Sequence, residues 1–245
     1  MGVKCVLRWV NPDPVVRDHP RAVFTVLGAA FEALDGRKIG KWKLNCTALK
    51  PKVEEGGGKG GSGGKQGVLG SKEMHLLSFS ERMDKQYLLL KQERQVLEAD
   101  TSIRGLLEKL GVYLQRFSLD FEGHLYSLGD FSAKLGRAQT TSEEFKGITV
   151  EVEYRPMSNL ETAQPILREF IQLLQQTISQ QQSIYTRSPS TSETERCAGH
   201  LELVAAPLAE YPVPPVFGYQ HTAIQYVAVC SALLSQGVTR PAGEN

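Results

Sequence analysis

The segment from Gly147 to Pro156 alternates between apolar and polar residues with the period of a β-strand. Successive side chains of a strand point to opposite sides, so this strand lies at a boundary between an apolar core and a polar environment. The sequence leaves three environments open for the polar side: solvent, a partner protein or the charged interior of a barrel. The apolar side carries Ile148, Val150, Val152 and Tyr154, and the polar side carries Thr149, Glu151, Glu153 and Arg155.

The same pattern predicts seven further strands and four helices along the chain. The strands are predicted at Val3–Trp9, Gly40–Leu49, Met74–Ser80, Gln86–Lys91, Gln95–Ala99, Tyr113–Phe121 and His124–Arg137, with Gly129 as a bend or bulge inside the last. Apolar residues at helical spacing predict helices at Arg21–Leu34, between Asp100 and Gly111, at Thr162–Gln182 and at His221–Gln236. Pro165 fits its helix only in the first turn, where its missing N–H is not needed. The final helix is predicted to carry Ile224, Val227, Ala228, Ser231 and Leu234 on one face.

These elements predict an α+β fold with a curved, eight-stranded antiparallel sheet. Strands that follow one another through short turns pair antiparallel, and eight of them form a barrel or a strongly curved sheet because closure removes exposed edges. Residues 1–245 are predicted to form a single domain with the last two helices packed against the sheet. A glycine-rich stretch at 54–70 predicts a flexible loop, and a Ser/Thr/Glu-rich stretch at 187–200 predicts a mobile one.

Composition narrows the class of function. The chain has 245 residues, 41% of them hydrophobic, and a formal net charge of +1, which favours neither direct nucleic-acid binding nor an anionic membrane surface. No apolar run approaches the roughly 18–20 residues that span a bilayer. Cys5, Cys46, Cys197 and Cys230 form no Cys-x-x-Cys pair and are interpreted as reduced thiols of an intracellular protein.

One catalytic hypothesis is open. Glu151, Glu153 and Arg155 place two carboxylates and a cation along one side of a strand. Carboxylates bind divalent cations and arginine binds phosphate, and the triphosphate tunnel metalloenzymes use such a pattern inside an eight-stranded barrel. The other strands supply few inward charges, so a metal-dependent triphosphate tunnel phosphohydrolase is the alternative to a protein-binding function. The five histidines have no metal-ligand spacing, and we predict no metal site, no catalytic residue and no cofactor.

Several segments together resemble the family of subunit 20 of the Mediator complex, a transcription coactivator. The similarity runs along the whole chain in the same order, and the pieces Val-Leu-Glu-Ala-Asp and Leu-Gly-Asp-Phe are most similar to the plant-lineage members. The segments are Met1-Gly-Val-Lys-Cys-Val-Leu-Arg-Trp9, Gln95-Val-Leu-Glu-Ala-Asp-Thr-Ser-Ile103, Phe121-Glu-Gly-His-Leu-Tyr-Ser-Leu-Gly-Asp-Phe131, Gly147-Ile-Thr-Val-Glu-Val-Glu-Tyr154 and Gln220-His-Thr-Ala223.

The resemblance implies an incomplete eight-stranded antiparallel barrel with flanking helices and no catalytic residue or cofactor. It also implies pairing with Mediator subunit 18, a tether through a helix of subunit 8, and indirect action on RNA polymerase II in the nucleus. We therefore predict a non-catalytic head-module subunit that helps to link gene-specific activators to RNA polymerase II by protein–protein contacts. The residues predicted to contact partners are Tyr126, Asp130, Glu151, Glu153 and Arg155.

Overall fold

The computed structural model describes residues 1–13, 18–52, 72–187 and 197–235. The glycine-rich loop predicted at 54–70 lies outside the described residues, as do residues 188–196 of the predicted 187–200 loop. The described strands are β1 (Val3–Val10), β2 (Arg37–Pro51), β3 (Met74–Phe79), β4 (Lys85–Leu90), β5 (Gln95–Asp100), β6 (Tyr113–Leu128), β7 (Phe131–Thr140), β8 (Phe145–Tyr154) and β9 (His200–Leu203). The helices are α1 (Pro20–Ala33), α2 (Ser102–Leu110), α3 (Leu160–Thr186) and α4 (Tyr219–Ser235), with a short 3-10 turn at Leu208–Glu210.

The strands form one sheet in the order β5-β4-β3-β2-β6-β7-β8-β1-β9, and every neighbouring pair is antiparallel. The predicted α+β class and the antiparallel, incompletely closed sheet are confirmed. The sheet has a ninth strand that the sequence did not predict. β9 has only four residues, of which one is buried, so it is too short to show a convincing alternation.

The turn between β6 and β7 differs from the prediction. The sequence placed a break near Gly123 and a bulge at Gly129, whereas β6 continues through Gly123 and the chain turns at Gly129, whose φ is +59°. A Cβ at position 123 would lie 2.0 Å from the Leu135 carbonyl oxygen on β7. Glycine at 123 therefore permits close strand approach, while glycine at 129 permits the left-handed turn.

The sheet is covered on both faces. On the first face, α1 and α3 pack against β1, β7 and β8, burying Ile148, Val150 and Val152 as the alternation predicts. On the second face lies α4, which contacts β1 and β8 as well as β2, β4 and β5. Strands from both halves of the sheet therefore surround this helix, which we call the interior helix.

Burial of α4 is more extensive than the predicted stripe. Its side chains from His221 to Val227 are buried, as are Val229, Cys230 and Leu233, whereas Ser231 is exposed. The helix itself is where the sequence predicts it, but its buried residues are not limited to the predicted face, and Ser231 on that face is exposed. A helix surrounded by a curved sheet buries most of its circumference, so the one-sided spacing rule gives little guidance about its orientation.

α3 begins earlier than the sequence predicts. Asn159 caps its first turn, with the side-chain oxygen accepting a hydrogen bond from the Thr162 N–H at 3.1 Å. Pro165 therefore occupies the sixth helical position, not the first turn as predicted. Its ring is exposed, so the Glu161 carbonyl that loses a helical donor can bind water instead.

Side-chain amides cap the two outer strands of the sheet. Gln175 of α3 accepts a hydrogen bond from the Leu201 N–H of β9 at 3.0 Å. Gln220 of α4 donates to the Val96 carbonyl of β5 at 3.4 Å. These contacts occupy backbone groups that would otherwise be free to pair with a strand from another chain.

Candidate functional site

Glu151 lies on the face of β8 that meets the interior helix. The strand register places Lys134 of β7 directly opposite Glu151 and Lys4 of β1 opposite Glu153. Tyr226 of α4 reaches the same point from above the sheet. Three strands and one helix therefore bring their polar side chains together inside an otherwise apolar interior.

The contacts around Glu151 are short and direct. Its Oε1 lies 2.9 Å from the Lys4 Nζ and 3.2 Å from the Lys134 Nζ, and its Oε2 accepts a hydrogen bond from the Tyr226 hydroxyl at 2.9 Å. The Lys4 Nζ is also 3.8 Å from Glu153. Lys134 forms a second ion pair with Glu81, so the set defined as the buried ion cluster is Lys4, Glu81, Lys134, Glu151, Glu153 and Tyr226.

The electrostatics of the cluster keep its central groups charged. Burial alone raises the pKa of the Glu151 carboxyl, but the charges of Lys134 and Lys4 and the bonds from Lys4 and Tyr226 outweigh burial. The pKa falls from 4.5 to about 2. Burial alone lowers the pKa of the Lys4 ammonium group, but the charges of Glu151 and Glu153 outweigh burial and the pKa is raised. Burial and the nearby Glu151 charge raise the pKa of Tyr226 well above 10, so its hydroxyl stays a donor.

This geometry answers which environment the polar side of β8 occupies. Glu151 is 2% exposed and lies in the charged interior, the third of the environments that the sequence left open. Two lysines already neutralise it, and the rings of Phe79, Phe121 and Trp42 surround Tyr226 on the helix side. The arrangement is a satisfied internal ion cluster, because Lys4, Lys134 and the Tyr226 hydroxyl together engage both oxygens of the Glu151 carboxylate. Within the described ranges, no group of three or more His, Cys, Asp or Glu residues has metal-binding geometry.

Glu153 lies at the border of the cluster. Its side chain is part-buried and accepts hydrogen bonds from the Gly2 N–H at 2.8 Å and from the Ser132 hydroxyl at 3.2 Å. It therefore connects the buried ion cluster to the edge of the sheet near the start of β1.

Asp130 and Arg155 form a separate, exposed corner. Asp130 lies in the turn between β6 and β7, and Arg155 directly follows the end of β8. The Arg155 N–H donates to the Asp130 carbonyl at 3.0 Å, and the Arg155 guanidinium donates to the carbonyls of Gly129 and Asp130. The guanidinium thus holds the turn through its backbone and leaves the Asp130 carboxylate on the surface.

Tyr126 lies on the opposite face of the sheet. It is 5% exposed, and its ring packs against Phe31 of α1 with 4.9 Å between centroids. The structure therefore brings together Glu151 with Glu153, and Asp130 with Arg155, but the five predicted contact residues do not form one continuous surface.

A family model described as the TATA-binding related factor (TRF) of subunit 20 of the Mediator complex matches residues 1–231. The chain belongs to this family. It is 32% identical over 180 residues to Mediator of RNA polymerase II transcription subunit 20b of Arabidopsis thaliana, which covers 73% of this chain and 78% of that protein. It is 27% identical over 176 residues to subunit 20 of Homo sapiens, covering 70% and 76%. A chain of the Schizosaccharomyces pombe Mediator head module has a TM-score of 0.38 and 14% identity, covering 71% of this chain and 94% of that chain.

Membership of the Mediator subunit 20 family agrees with the resemblance seen in the sequence. Sequence reasoning nevertheless missed Lys4, Lys134 and Tyr226, the partners that explain Glu151. The one available signal was the position of the two lysines within their strands. Lys4 and Lys134 each lie between two apolar residues of a predicted strand. Without the register of β1 and β7 against β8, that signal does not identify a shared partner.

The remaining sequence expectations concern cysteines and membranes. All four cysteines are free thiols, as predicted. Across the ranges that the structure describes, no helix combines the length and apolar character needed to cross a lipid bilayer.

Proposed function

We propose that this chain is a non-catalytic subunit of the Mediator head module. In this role it links gene-specific activators to RNA polymerase II in the nucleus through protein–protein contacts. The observation that carries the proposal is the family match over residues 1–231. The buried ion cluster supports the non-catalytic part of the proposal, because both oxygens of the Glu151 carboxylate are engaged by Lys4, Lys134 and Tyr226.

The partners proposed are Mediator subunit 18, as the other half of a heterodimer, and subunit 8, as the tether to the head module. Direct contact is assigned to Asp130 and Arg155, which are exposed, and to the part-buried Glu153. Glu151 and Tyr126 have almost no exposed surface, so we assign them the role of supporting that surface from beneath. Exposed charges at the border of a protein–protein interface change specificity and association rate more than total affinity.

The test is affinity purification of the tagged chain from nuclear extract, with recovered proteins identified by mass spectrometry. Recovery of subunits 18 and 8 is expected from the wild-type chain. The Asp130→Arg variant is expected to recover less of subunit 18 while keeping the wild-type melting temperature, because the Asp130 side chain is exposed and Arg155 bonds only its backbone carbonyl. Glu144→Lys with Lys146→Glu is the matched control, because this ion pair lies at the other end of β8. Recovery of neither subunit by the wild-type chain contradicts the proposal.

We also infer that the chain does not hydrolyse triphosphates. The support is that Lys4 and Lys134 already occupy the carboxylate that a divalent cation would need. Purified chain incubated with inorganic triphosphate and Mg²⁺ or Mn²⁺ is expected to release no more phosphate than buffer. Metal-dependent turnover that disappears in Glu151→Gln would overturn this inference.

A further inference from the structure

Helix α3 carries an exposed face that no other described element covers. From Phe170 to Thr186 the helix has no charged residue, although 22% of the whole chain is charged. Two of its exposed residues are apolar, with Leu173 48% exposed and Ile184 62% exposed. At 100° per residue, six exposed residues between positions 169 and 187 lie within a sector of about 80° around the helix. They define the outer face of α3, which consists of Glu169, Leu173, Gln176, Gln180, Ile184 and Arg187.

The polar groups of the outer face have no partners among the described residues. Gln175 and Gln182, on the opposite side of the helix, bond the backbone of Leu201 and Gly199 in and beside β9. Within the described part of the chain, the amides of the two outer-face glutamines form no hydrogen bond, and its glutamate and arginine form no ion pair. The outer face therefore has unused polar groups beside its two exposed apolar side chains.

The outer face has matching residues at nearly equal distances on either side of position 178. Its charged pair lies nine residues from that position, its apolar pair five or six, and its amide pair two. Arg187 keeps a helical backbone conformation, so this spacing holds to the end of the face. The pairs are Glu169 with Arg187, Leu173 with Ile184, and Gln176 with Gln180.

This arrangement is complementary to itself. Two copies of α3 packed antiparallel across a two-fold axis near position 178 bring each residue of one copy against its counterpart in the other. Opposite charges then meet at both ends, and apolar side chains meet between them and the centre. At the centre, an amide donates and accepts hydrogen bonds at once, so glutamine suits glutamine. A parallel pair would instead set Glu169 against Glu169 and Arg187 against Arg187.

The charges beside the outer face do not change this balance. Arg168 lies 100° around the helix from Glu169, outside the face. Helix α1, which packs beside α3, carries one charge of each sign, Arg21 and Glu32. We propose that the outer face of α3 binds the same face of a second copy of this chain, with the two helices antiparallel.

The expected dimer is weak. One pair of helices buries less than the roughly 800 Å² per partner of a typical stable interface, so we expect dissociation at about 100 µM. The test is sedimentation velocity of the purified full chain between about 5 and 500 µM, where the sedimentation coefficient should rise with concentration. This inference is independent of the proposed Mediator partners and uses none of the residues assigned to them.

Charge reversals test the pairing directly. Glu169→Arg is expected to weaken self-association about tenfold or more, because two attractions become two repulsions. Glu169→Arg combined with Arg187→Glu in one chain should restore it. An equal mixture of the two single variants should also restore it, since every contact between the two chains again joins opposite charges. Arg168→Glu is the matched control and should leave association unchanged. Unchanged melting temperatures establish that the variants are folded.

The apolar pair gives a second test. Leu173→Ser with Ile184→Ser is expected to reduce self-association about tenfold or more, because both apolar contacts are lost twice in the symmetric pair. If this variant stays folded and monomeric like the wild type, but recovers less of another protein in the affinity purification, the occupant is a partner protein and the proposal is wrong.

Other results also overturn the proposal. A wild-type chain that remains monomeric over the whole concentration range contradicts it. A dimer that Glu169→Arg does not weaken, or that the combined charge reversal does not restore, uses another surface or another arrangement. If association appears only when residues 188–196 are replaced by a glycine-serine linker of equal length, that segment of the same chain is the occupant.

Discussion

Replacing Glu151 by glutamine removes the charge shared by two buried lysines without changing the size of the side chain. Lys4 and Lys134 are almost inaccessible to water, so neither gains hydration when the carboxylate is lost. Breaking a buried ion pair by removing one partner costs about 3–5 kcal/mol. Lys4 keeps Glu153 at 3.8 Å and Lys134 keeps Glu81, which places the expected cost at the lower end, about 3 kcal/mol.

The cost can be measured by urea unfolding followed through tryptophan fluorescence. Trp42 is buried, and the Lys134 Nζ lies 5.3 Å from its ring, so its emission reports on this region. We expect a lower midpoint with an unchanged slope, because the surface exposed on unfolding is the same. A loss of about 3 kcal/mol corresponds to a melting temperature lower by about 6–12 °C in a chain of this size.

A surface ion pair supplies the control. Arg8 and Glu202 are 2.8 Å apart, but the glutamate side chain is 47% exposed, so Glu202→Gln is expected to cost less than about 1 kcal/mol. If Glu151→Gln costs no more than Glu202→Gln, the reasoning about uncompensated buried charge is refuted.

A compensated variant separates the value of the cluster from the cost of breaking it. Lys4→Met, Lys134→Met, Glu151→Leu and Tyr226→Phe together remove the central charges and the hydroxyl that would be left without its acceptor. Because apolar replacement of a whole buried ion cluster is often neutral or stabilising, this variant is expected to be at least as stable as the wild type to within about 1 kcal/mol. A loss as large as that of Glu151→Gln alone would mean that shape, not charge, determines the result.

Three further outcomes are expected. Because the pKa of Glu151 is about 2 when folded and 4.5 ordinarily, its contribution is complete above about pH 4.5 and lost as the pH falls toward 2. The stability gap between wild type and Glu151→Gln in urea titrations should narrow across that range. Asn159→Ala should lower the unfolding free energy by about 1 kcal/mol, since the Thr162 N–H loses its cap. Gly123→Ala should cost about 3 kcal/mol or more by thermal unfolding, because its Cβ meets the Leu135 carbonyl oxygen at 2.0 Å.

Each of these outcomes has a control and a contrary result. A gap that stays constant from pH 5 to pH 2 would contradict the lowered pKa of Glu151. Asn159→Asp keeps a side-chain acceptor and should restore the cap; equal losses for both Asn159 variants would count against capping. Gly40→Ala has open space within 4 Å of its Cβ and should be tolerated, so a similar loss at positions 40 and 123 would disprove the steric explanation.

The general architecture of this protein follows from local sequence patterns. Among the residues that the structure describes, alternation placed eight of nine strands and helical spacing placed four of four α-helices, because each pattern depends only on neighbours along the chain. β9 was missed because a four-residue edge strand has no clear period. The roles of Gly123 and Gly129 were exchanged because glycine serves both tight turns and close strand approach, and sequence alone does not separate the two uses.

The candidate site depended on information that a single strand does not contain. The alternation correctly placed Glu151 on the side of β8 that is opposite to its apolar residues. A charged interior was one of the three environments that the sequence left open for that side. The strand register decided between these interpretations. It places Lys134 of β7 directly opposite Glu151, and it places Lys4 of β1 two residues from Val6, the residue opposite Glu151 on that strand. Those pairings join residues more than a hundred positions apart for β1, so no local pattern encodes them.

The position of the interior helix near the end of the described chain also has a consequence for folding during synthesis. Residues 219–235 complete a core whose first member is Val6, so a chain that lacks them leaves these apolar side chains and the lysines of the buried ion cluster open to water. Such surfaces are those that molecular chaperones bind and that drive aggregation of incomplete chains. A chain truncated before α4 is therefore expected to aggregate or to remain bound to chaperones, because its core is incomplete.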